Sequence, residues 1–257
     1  MTGSLLELTE LLGDQLWHGF VIFLRVAAVA AMLPGFGEQS VPVRIKLVVA
    51  LAFTLIVAPA IPSVAQDYDL NTLILLTATE AIVGLLLGLG IRLLVLALQV
   101  AGAIAAQSTS LAQILGGAAV DPLPAMGYIL VVAAIALAVM TGLHVKAAEL
   151  LILSYEIMPL GVFLSGSDVA DWGIQHVSRA FALAFSLAAP FVILSVLYNL
   201  ALGVINKAMP QLMVAFVGAP VITAGGLLVL FLSAPLLLSV WMATLDGFLV
   251  NPVAAVR

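Results

Sequence analysis

Long apolar runs separated by short polar connections make up most of this chain. Six hydrophobic segments stand out, at approximately residues 16–33, 47–61, 73–106, 128–143, 181–205 and 212–245. The segment 128–143 is apolar on every face, whereas the strands of a membrane barrel alternate apolar and polar residues. About 20 apolar residues in a helix cross roughly 30 Å of hydrocarbon, a length that several of these segments approach or exceed. The pattern predicts an all-α fold of integral membrane-type hydrophobic helices.

Prolines interrupt these predicted helices. Pro190, Pro220 and Pro235 lie inside them, where a proline removes a backbone hydrogen bond and clashes with the preceding turn. We expect kinks or breaks there, and the freed carbonyl groups need partners in neighbouring helices because lipid offers none. The chain is therefore predicted to form broken helical hairpins that pack with other chains. The connections between segments are residues 34–42, 62–69, 116–127, 154–179 and 206–210.

Composition excludes several classes of protein. The chain is 64% hydrophobic and 8% charged, with a mean hydropathy of +1.29, which a soluble globular domain does not have. Without cysteine it has no disulfide framework, thiolate metal site or thiol nucleophile. A net charge of −5 with no cluster of basic residues predicts no nucleic-acid partner. The acidic start, with Glu7, Glu10 and Asp14, is unlike a secretory signal, so we expect no cleaved peptide.

One acidic residue lies inside a predicted membrane helix. Glu80, Gly84 and Gly88 recur every four residues and share one helix face, on which small residues allow close approach of a second backbone. A carboxylate within the membrane is also a candidate ion or proton site. Two interpretations stay open. The favoured one is a packing surface for a neighbouring helix or subunit, in which Glu80→Gln would be tolerated, and the other is an ion site.

The chain lacks the residues that most enzyme sites need. His18, His144 and His176 have no metal-binding spacing, and nucleophile-elbow, Walker A and dinucleotide-binding motifs are missing. Lys146 and Glu149 follow His144 and could pair on a helix surface, which favours a solvated cluster over a catalytic one. We therefore expect no enzyme activity and no cofactor.

A glycine-rich connection follows the third segment. Residues 107–122 are mostly small or polar, and polar backbone at membrane depth is tolerated only where protein or water satisfies it. A pore-facing loop and an ordinary surface loop both stay open as interpretations. The residues that would form a plug or pore loop are Gln113, Ile114, Leu115, Gly116, Gly117, Val120, Asp121 and Pro122.

A turn signal follows the fifth segment and carries a family resemblance. Asn206 and Pro210 favour chain reversal, and Lys207 and Gln211 are the other strongly polar residues there. Residues 202–211 resemble the Leu-Gly-x-x-Asn-basic-x-x-Pro-Gln signature of the flagellar biosynthetic protein FliR family, which includes counterparts in virulence type III secretion systems. The resemblance covers nearly the whole chain. Its other motifs are Arg25, residues 32–37, 42–46, 120–122, 141–144, 198–203, and Pro190.

The resemblance implies a channel-forming structural subunit of the flagellar type III export gate. One FliR copy co-assembles with FliP and FliQ homologues, in the company of FlhB and FlhA homologues, in the bacterial inner membrane at the flagellar basal body. Unfolded flagellar substrates would cross through this gate, and membrane lipid would surround it. By the same resemblance, the family's subunits are lifted above the bilayer plane rather than spanning it.

The same resemblance implies a division of the chain and a set of site residues. Residues 1–200 would be a FliP-like helical hairpin region with a plug loop at about 107–122, and residues 201–257 a FliQ-like C-terminal hairpin. Some family members have phenylalanines where this chain has glycines and alanines at 116–119. A seal here would use Gln113, Ile114 and Leu115 or side chains of partner subunits. The predicted subunit interface comprises Glu80, Gly84, Gly88, Asn206, Lys207, Pro210 and Gln211.

Two other functions compete with an export gate. A multi-pass secondary transporter with a site near Glu80 is the main alternative, because discontinuous helices build substrate sites near the bilayer midplane. No inverted repeat is recognisable, which counts against it. An intramembrane enzyme comes third, since the nucleophile, metal and acid–base motifs are missing.

Overall fold

The computed structural model describes residues 2–62, 69–110, 125–209 and 214–253. Within these ranges the chain forms seven α-helices and one short 3-10 turn at Ala58–Ala60, with no β-strand. The all-α prediction is confirmed. The helices are α1 (Thr2–Ala30), α2 (Val43–Val57), α3 (Leu70–Ser110), α4 (Ala125–Met140), α5 (Leu143–Ile157), α6 (Gly166–Ala208) and α7 (Val214–Val250).

Helices α6 and α7 pass through positions where interruptions were expected. Helix α6 is 43 residues long and continues through Pro190, and α7 is 37 residues long and continues through Pro220 and Pro235. The helices do not break at these prolines, and kinks at the same positions stay a prediction. Proline is tolerated in such helices because neighbouring groups and small local adjustments satisfy the carbonyls that it frees.

The last residues of α5 and the start of α6 occupy a stretch that the sequence pattern assigned to a polar connection. The connection is shorter than residues 154–179, since α5 ends at Ile157 and α6 begins at Gly166. The hydroxyl oxygen of Ser165 accepts the N–H of Asp168 at 3.1 Å, which satisfies one of the free donors of the first helical turn. The acidic side chain of Asp168 also favours the positive end of the helix dipole. Polar residues thus start a helix here.

A glycine separates α4 from α5. Gly142 has a φ of +85°, in the left-handed region that other residues adopt only with strain. Thr141 donates its hydroxyl to the carbonyl oxygen of Ala138 at 3.0 Å and so satisfies the end of α4. The fourth predicted segment, 128–143, therefore ends where the chain turns, and the residues after it form a separate helix.

The chain divides into two compact units, and α3, α4, α6 and α7 contribute to both. The first unit comprises Met1–Arg92, Ala138–Ile174 and Asp246–Arg257, and its buried residues include Ile22, Val26, Val83 and Leu150. The second unit comprises Leu93–Leu137 and Gln175–Leu245. Its core includes Ala97, Ala180 and Ala184, small residues that let α3 and α6 approach closely. The division at residues 200 and 201 stays a prediction, and α6 runs through that position without interruption.

Among the residues that the structure describes, four stretches are long and apolar enough to cross a membrane: Val43–Ala60, Leu70–Thr109, Gly166–Ala208 and Pro220–Val250. Helices α4 and α5 meet the same criteria together, as one broken span. Large apolar side chains are exposed on these helices, among them Phe185 and Phe231. A membrane-type protein is therefore confirmed.

Candidate functional site

A buried arginine lies at the centre of the first unit. Arg25 of α1 has no exposed surface, and its Nε donates to Oε2 of Glu80 on α3 at 2.8 Å. Its Nη1 donates to the carbonyl oxygen of Ser154 at 2.9 Å and to the hydroxyl of the same residue at 3.0 Å. Its Nη2 donates to the carbonyl oxygen of Met158 at 2.9 Å. One side chain therefore joins α1 to α3 and to the end of α5.

The second carboxylate oxygen of Glu80 holds the segment that follows α5. Glu80 is fully buried, and its Oε1 accepts the N–H of Gly161 at 3.2 Å. Gly161 has a φ of +71°, which suits a residue without a side chain. The guanidinium carbon of Arg25 lies 3.8 Å from the ring centroid of Tyr155, a distance at which the cation is attracted to the ring. The ion pair and the ring together fix the connector from Met158 to Ser165.

The position of Arg25 at the end of α5 has an electrostatic reason. The last carbonyl groups of a helix lack partners within it and form the negative end of its dipole. Arg25 satisfies the Met158 carbonyl, just beyond the last residue of α5, and brings a positive charge to this end. A buried charge costs several kcal/mol unless it is paired and fully hydrogen-bonded. The ion pair therefore stabilises the structure only when its other hydrogen bonds are also made. The cluster that makes these bonds consists of Arg25, Glu80, Ser154, Met158 and Gly161.

The glycines next to Glu80 pack against α1. A Cβ atom at Gly84 would lie 2.5 Å from the carbonyl oxygen of Arg25 and 2.7 Å from the Cβ of Ala28. A Cβ atom at Gly88 would lie 2.9 Å from the Cβ of Met32. All three distances are shorter than real Cβ contacts, so α3 can approach α1 this closely only with glycine at both positions. This face contacts the same chain and is not available to another subunit, which corrects the assignment of Glu80, Gly84 and Gly88 to a subunit interface.

The arrangement does not provide an ion-transport site. Both oxygens of Glu80 are hydrogen-bonded and the side chain has no exposed surface, so the structure gives no support for a transporter site there. Lys146 donates to Asp246 Oδ1 at 2.7 Å, a different partner from the predicted Glu149. Across the part of the chain that the structure describes, no three His, Asp or Glu residues are grouped to hold a metal ion.

In the second unit, polar groups surround the end of α3. The hydroxyl of Ser195 on α6 donates to the carbonyl oxygen of Ser108 at 2.6 Å, and Nδ2 of Asn199 donates to the Ser195 hydroxyl at 3.2 Å. A Cβ atom at Gly226 on α7 would meet the side chain of Thr109, so α7 also passes close to this end of α3. Helices α6 and α7 thus hold the last turn before the glycine-rich connection.

One face of α3 carries amide groups on its exposed side. Gln99 and Gln107 lie eight residues apart and both are exposed, and Ala103 between them is partly exposed. Residues at this spacing share a helix face, and the small side chain of Ala103 leaves room beside the two amides. Helix α3 includes residues 107–110, which the sequence pattern had assigned to the glycine-rich connection.

The remaining predicted site residues fall partly outside the described ranges. Asn206 and Lys207 lie in the last turn of α6, where the positive charge of Lys207 favours the helix C-terminus, and both are exposed. The helix ends at Ala208, so these two residues are helical and not part of a connection that begins at residue 206. The residues outside the described ranges are Pro210, Gln211, Gln113, Ile114, Leu115, Gly116, Gly117, Val120, Asp121 and Pro122.

The sequence pattern missed four residues that complete the Arg25 cluster. Ser154, Tyr155, Met158 and Gly161 fall in the stretch that was assigned to a polar connection. Their backbone groups make several of the hydrogen bonds, and a backbone group has no sequence signature. Two signals pointed to the pair itself: Arg25 and Glu80 each lie within an apolar segment, and an intramembrane charge calls for a partner.

Comparison with known proteins shows relatives over most of the chain. Residues 16–248 match the family described as bacterial export proteins, family 1. The flagellar biosynthetic protein FliR of Caulobacter vibrioides is 31% identical over 231 residues, which cover 88% of this chain and 92% of that relative. The protein of the same name from Escherichia coli K12 is 28% identical over 222 residues, 83% of each chain. That of Bacillus subtilis is 28% identical over 214 residues, 78% of this chain and 79% of the relative.

The glycine contact predicts a packing defect. Gly84→Leu should prevent α3 from approaching α1 and lower the thermal unfolding midpoint of the protein purified in detergent. Gly19→Leu on α1 is the matched control, because no atom lies within 4 Å of a Cβ atom at that position. Equal midpoints for the two variants would contradict the assignment of Gly84 to a close helix contact.

The buried ion pair predicts that Glu80→Gln is not tolerated, which reverses the expectation from the sequence alone. Removing one charge leaves the Arg25 guanidinium buried without a counter-charge, at a cost of about 3–5 kcal/mol. Replacing both residues, as in Arg25→Met with Glu80→Leu, removes the unpaired charge and should recover part of the loss. Thermal unfolding of the two single variants and the double variant measures the coupling. Additive effects would show that the pair does not act as a unit.

Proposed function

Since this chain belongs to the bacterial export proteins, family 1, we propose that it is a channel-forming structural subunit of the flagellar type III protein export gate. The match over residues 16–248 supports a role in export, and relatives named flagellar biosynthetic protein FliR support a place in the flagellar export apparatus. A family of export proteins also agrees with the expectation that the chain is not an enzyme. The apolar helices support a membrane location.

The proposal includes the surroundings of the protein. The gate would lie in the bacterial inner membrane at the flagellar basal body and would contain FliP and FliQ homologues, with FlhB and FlhA homologues nearby. Unfolded flagellar substrates would pass through it. Large exposed apolar side chains on α6, such as Phe181, Ile193 and Leu200, are compatible with burial against either lipid or such subunits.

The observation that supports a channel wall is the exposed amide face of α3. Lipid offers no hydrogen-bond partner to the exposed amide of Gln99, whereas water or a polypeptide does. An amide side chain both donates and accepts, as the backbone of any unfolded polypeptide does. A channel for unfolded substrates needs such sequence-independent contacts. We therefore place this face, defined by Gln99, Ala103 and Gln107, toward the channel.

The amide face can be tested by its access to water. The chain has no cysteine, so Gln99→Cys introduces its only thiol. In the complex purified with its partner subunits and returned to vesicles, a membrane-impermeant maleimide should label this thiol, because only a hydrated thiol ionises and reacts readily. Mass spectrometry of this chain measures the extent of labelling.

The matched control for this experiment is Ile193→Cys on α6. Ile193 is 59% exposed in the isolated chain but lies on an apolar face, so its replacement should stay unlabelled when lipid or another subunit covers it. Labelling at Ile193 with protection at Gln99 would overturn the assignment of the channel-facing side. Equal labelling at both positions would contradict it as well.

The plug proposal concerns residues outside the described ranges and is based on the sequence. Gly116 and Gly117 give backbone freedom, and Ile114 and Leu115 supply apolar bulk that closes a narrow pore by excluding water. Deletion of residues 113–117 should leave the complex assembled but make bilayers that contain it conduct small ions. Conductance across a planar bilayer is the measurement, with the undeleted complex as control. A deletion variant that assembles and stays closed would contradict the plug assignment.

A further inference from the structure

The first unit contains an apolar cavity of about 170 Å³. Its wall is formed by α3, the end of α5, the start of α6 and the residues after α7. An apolar cavity of roughly 150 Å³ accommodates a benzene-sized molecule, so this one has room for a short length of hydrocarbon chain. The lining includes Leu86, Leu87, Met158, Val169, Trp172 and Pro252.

Trp172 presents its ring to this cavity in a fixed position. Its indole N–H donates to the carbonyl oxygen of Pro252 at 2.8 Å, which ties the start of α6 to the residue after α7. The polar atom of the ring is thereby satisfied and the apolar ring surface lines the cavity. Tryptophan with this combination of a bonded N–H and an apolar body is typical of the level of lipid headgroups.

The opening of the cavity carries acidic charge. Asp168 is the charged residue in the lining, and it is exposed, as is Val253, another lining residue. Asp171, in the next turn of α6, is also exposed. A carboxylate here repels an anionic headgroup and attracts a primary ammonium group. The hydrocarbon-lined interior and the acidic opening therefore match one class of molecule, an acyl lipid with an amine headgroup.

We propose that this cavity binds one acyl chain of a phosphatidylethanolamine molecule, whose ammonium group lies at Asp168. The site is independent of the proposed channel, since it requires only that the protein lie in a membrane. Exposed Val162 and Phe163 on the connector between α5 and α6 extend the apolar surface of the same unit, where the rest of the acyl chain would lie. Bound lipid would replace the missing contacts of the cavity wall.

The fluorescence of Trp172 tests this proposal. The full chain, purified with the subunits that remain bound to it, is placed in vesicles that contain phosphatidylethanolamine with brominated acyl chains. Bromine quenches the fluorescence of a tryptophan that it contacts. The difference in fluorescence between this protein and its Trp172→Phe variant gives the signal of Trp172, separate from those of Trp17 and Trp241. We expect stronger quenching of Trp172 by brominated phosphatidylethanolamine than by brominated phosphatidylglycerol at the same mole fraction.

Two variants separate cavity binding from contact with bulk lipid. Val169→Phe fills the cavity and should abolish the excess quenching, whereas Val177→Phe adds the same volume at an exposed position two turns along α6 and should leave it unchanged. Asp168→Asn should make the two headgroups equivalent while quenching by an acyl chain persists. Native mass spectrometry of the same variants counts bound phospholipid, and Val169→Phe should lose the retained molecule.

Three results would overturn the proposal. Equal quenching in the Val169→Phe and Val177→Phe proteins would show that no acyl chain enters the cavity. An unchanged headgroup preference in Asp168→Asn would remove the role of the carboxylate. Loss of a co-purifying subunit in Val169→Phe, with quenching of Trp172 retained, would identify a partner protein as the occupant. The lipid site and the channel assignment can fail separately. If the Gln99→Cys complex assembles and retains the lipid but is not labelled by the maleimide, the lipid site is supported and the channel assignment is contradicted.

Discussion

The absence of hydrogen-bond partners in an apolar surrounding governs how this chain can fold. Arg25 and Glu80 lie on different helices and neither has exposed surface, so neither charge can be left without the other. Their pairing brings α1 and α3 together at one level. Arg25 also donates to the carbonyl oxygen of Met158, and Glu80 also accepts the N–H of Gly161. These two backbone groups would otherwise lack a hydrogen-bond partner inside the protein. One ion pair therefore determines where α5 ends and where the chain turns toward α6.

Close helix packing depends on the same contact. The stripe of Gly84 and Gly88 continues from Glu80 along α3 and allows α1 to approach to backbone distance. Apolar side chains give little driving force for association between helices in lipid, so close packing and internal hydrogen bonds have to supply it. In the second unit, Ser195 and Asn199 play a comparable part at the end of α3. Each unit thus holds a set of buried polar groups with internal hydrogen bonds and leaves large apolar side chains on its surface.

This division of roles is suited to a subunit of an export gate. A gate for unfolded polypeptides needs a rigid wall, and the buried Arg25 cluster provides rigidity. Contacts with the moving polypeptide have to be independent of its sequence, which amides such as Gln99 provide better than charges. The apolar outer faces are then free for lipid or other subunits. The cavity beside Trp172 would add, as proposed above, a contact between the first unit and one lipid acyl chain.

The sequence alone established the helical membrane class, because long charge-free runs leave no other structure with satisfied backbone groups. Its motifs also indicated the export family, and the intramembrane positions of Arg25 and Glu80 marked both as residues in need of partners. It did not show that they are each other's partner, since they are 55 positions apart and no local pattern links them. Helix α5 was obscured by its polar neighbours, and α6 and α7 continue through their prolines. Only the tertiary structure decided these points, because a buried charge, a backbone carbonyl and a close helix contact acquire their energies from neighbours that are distant in the chain.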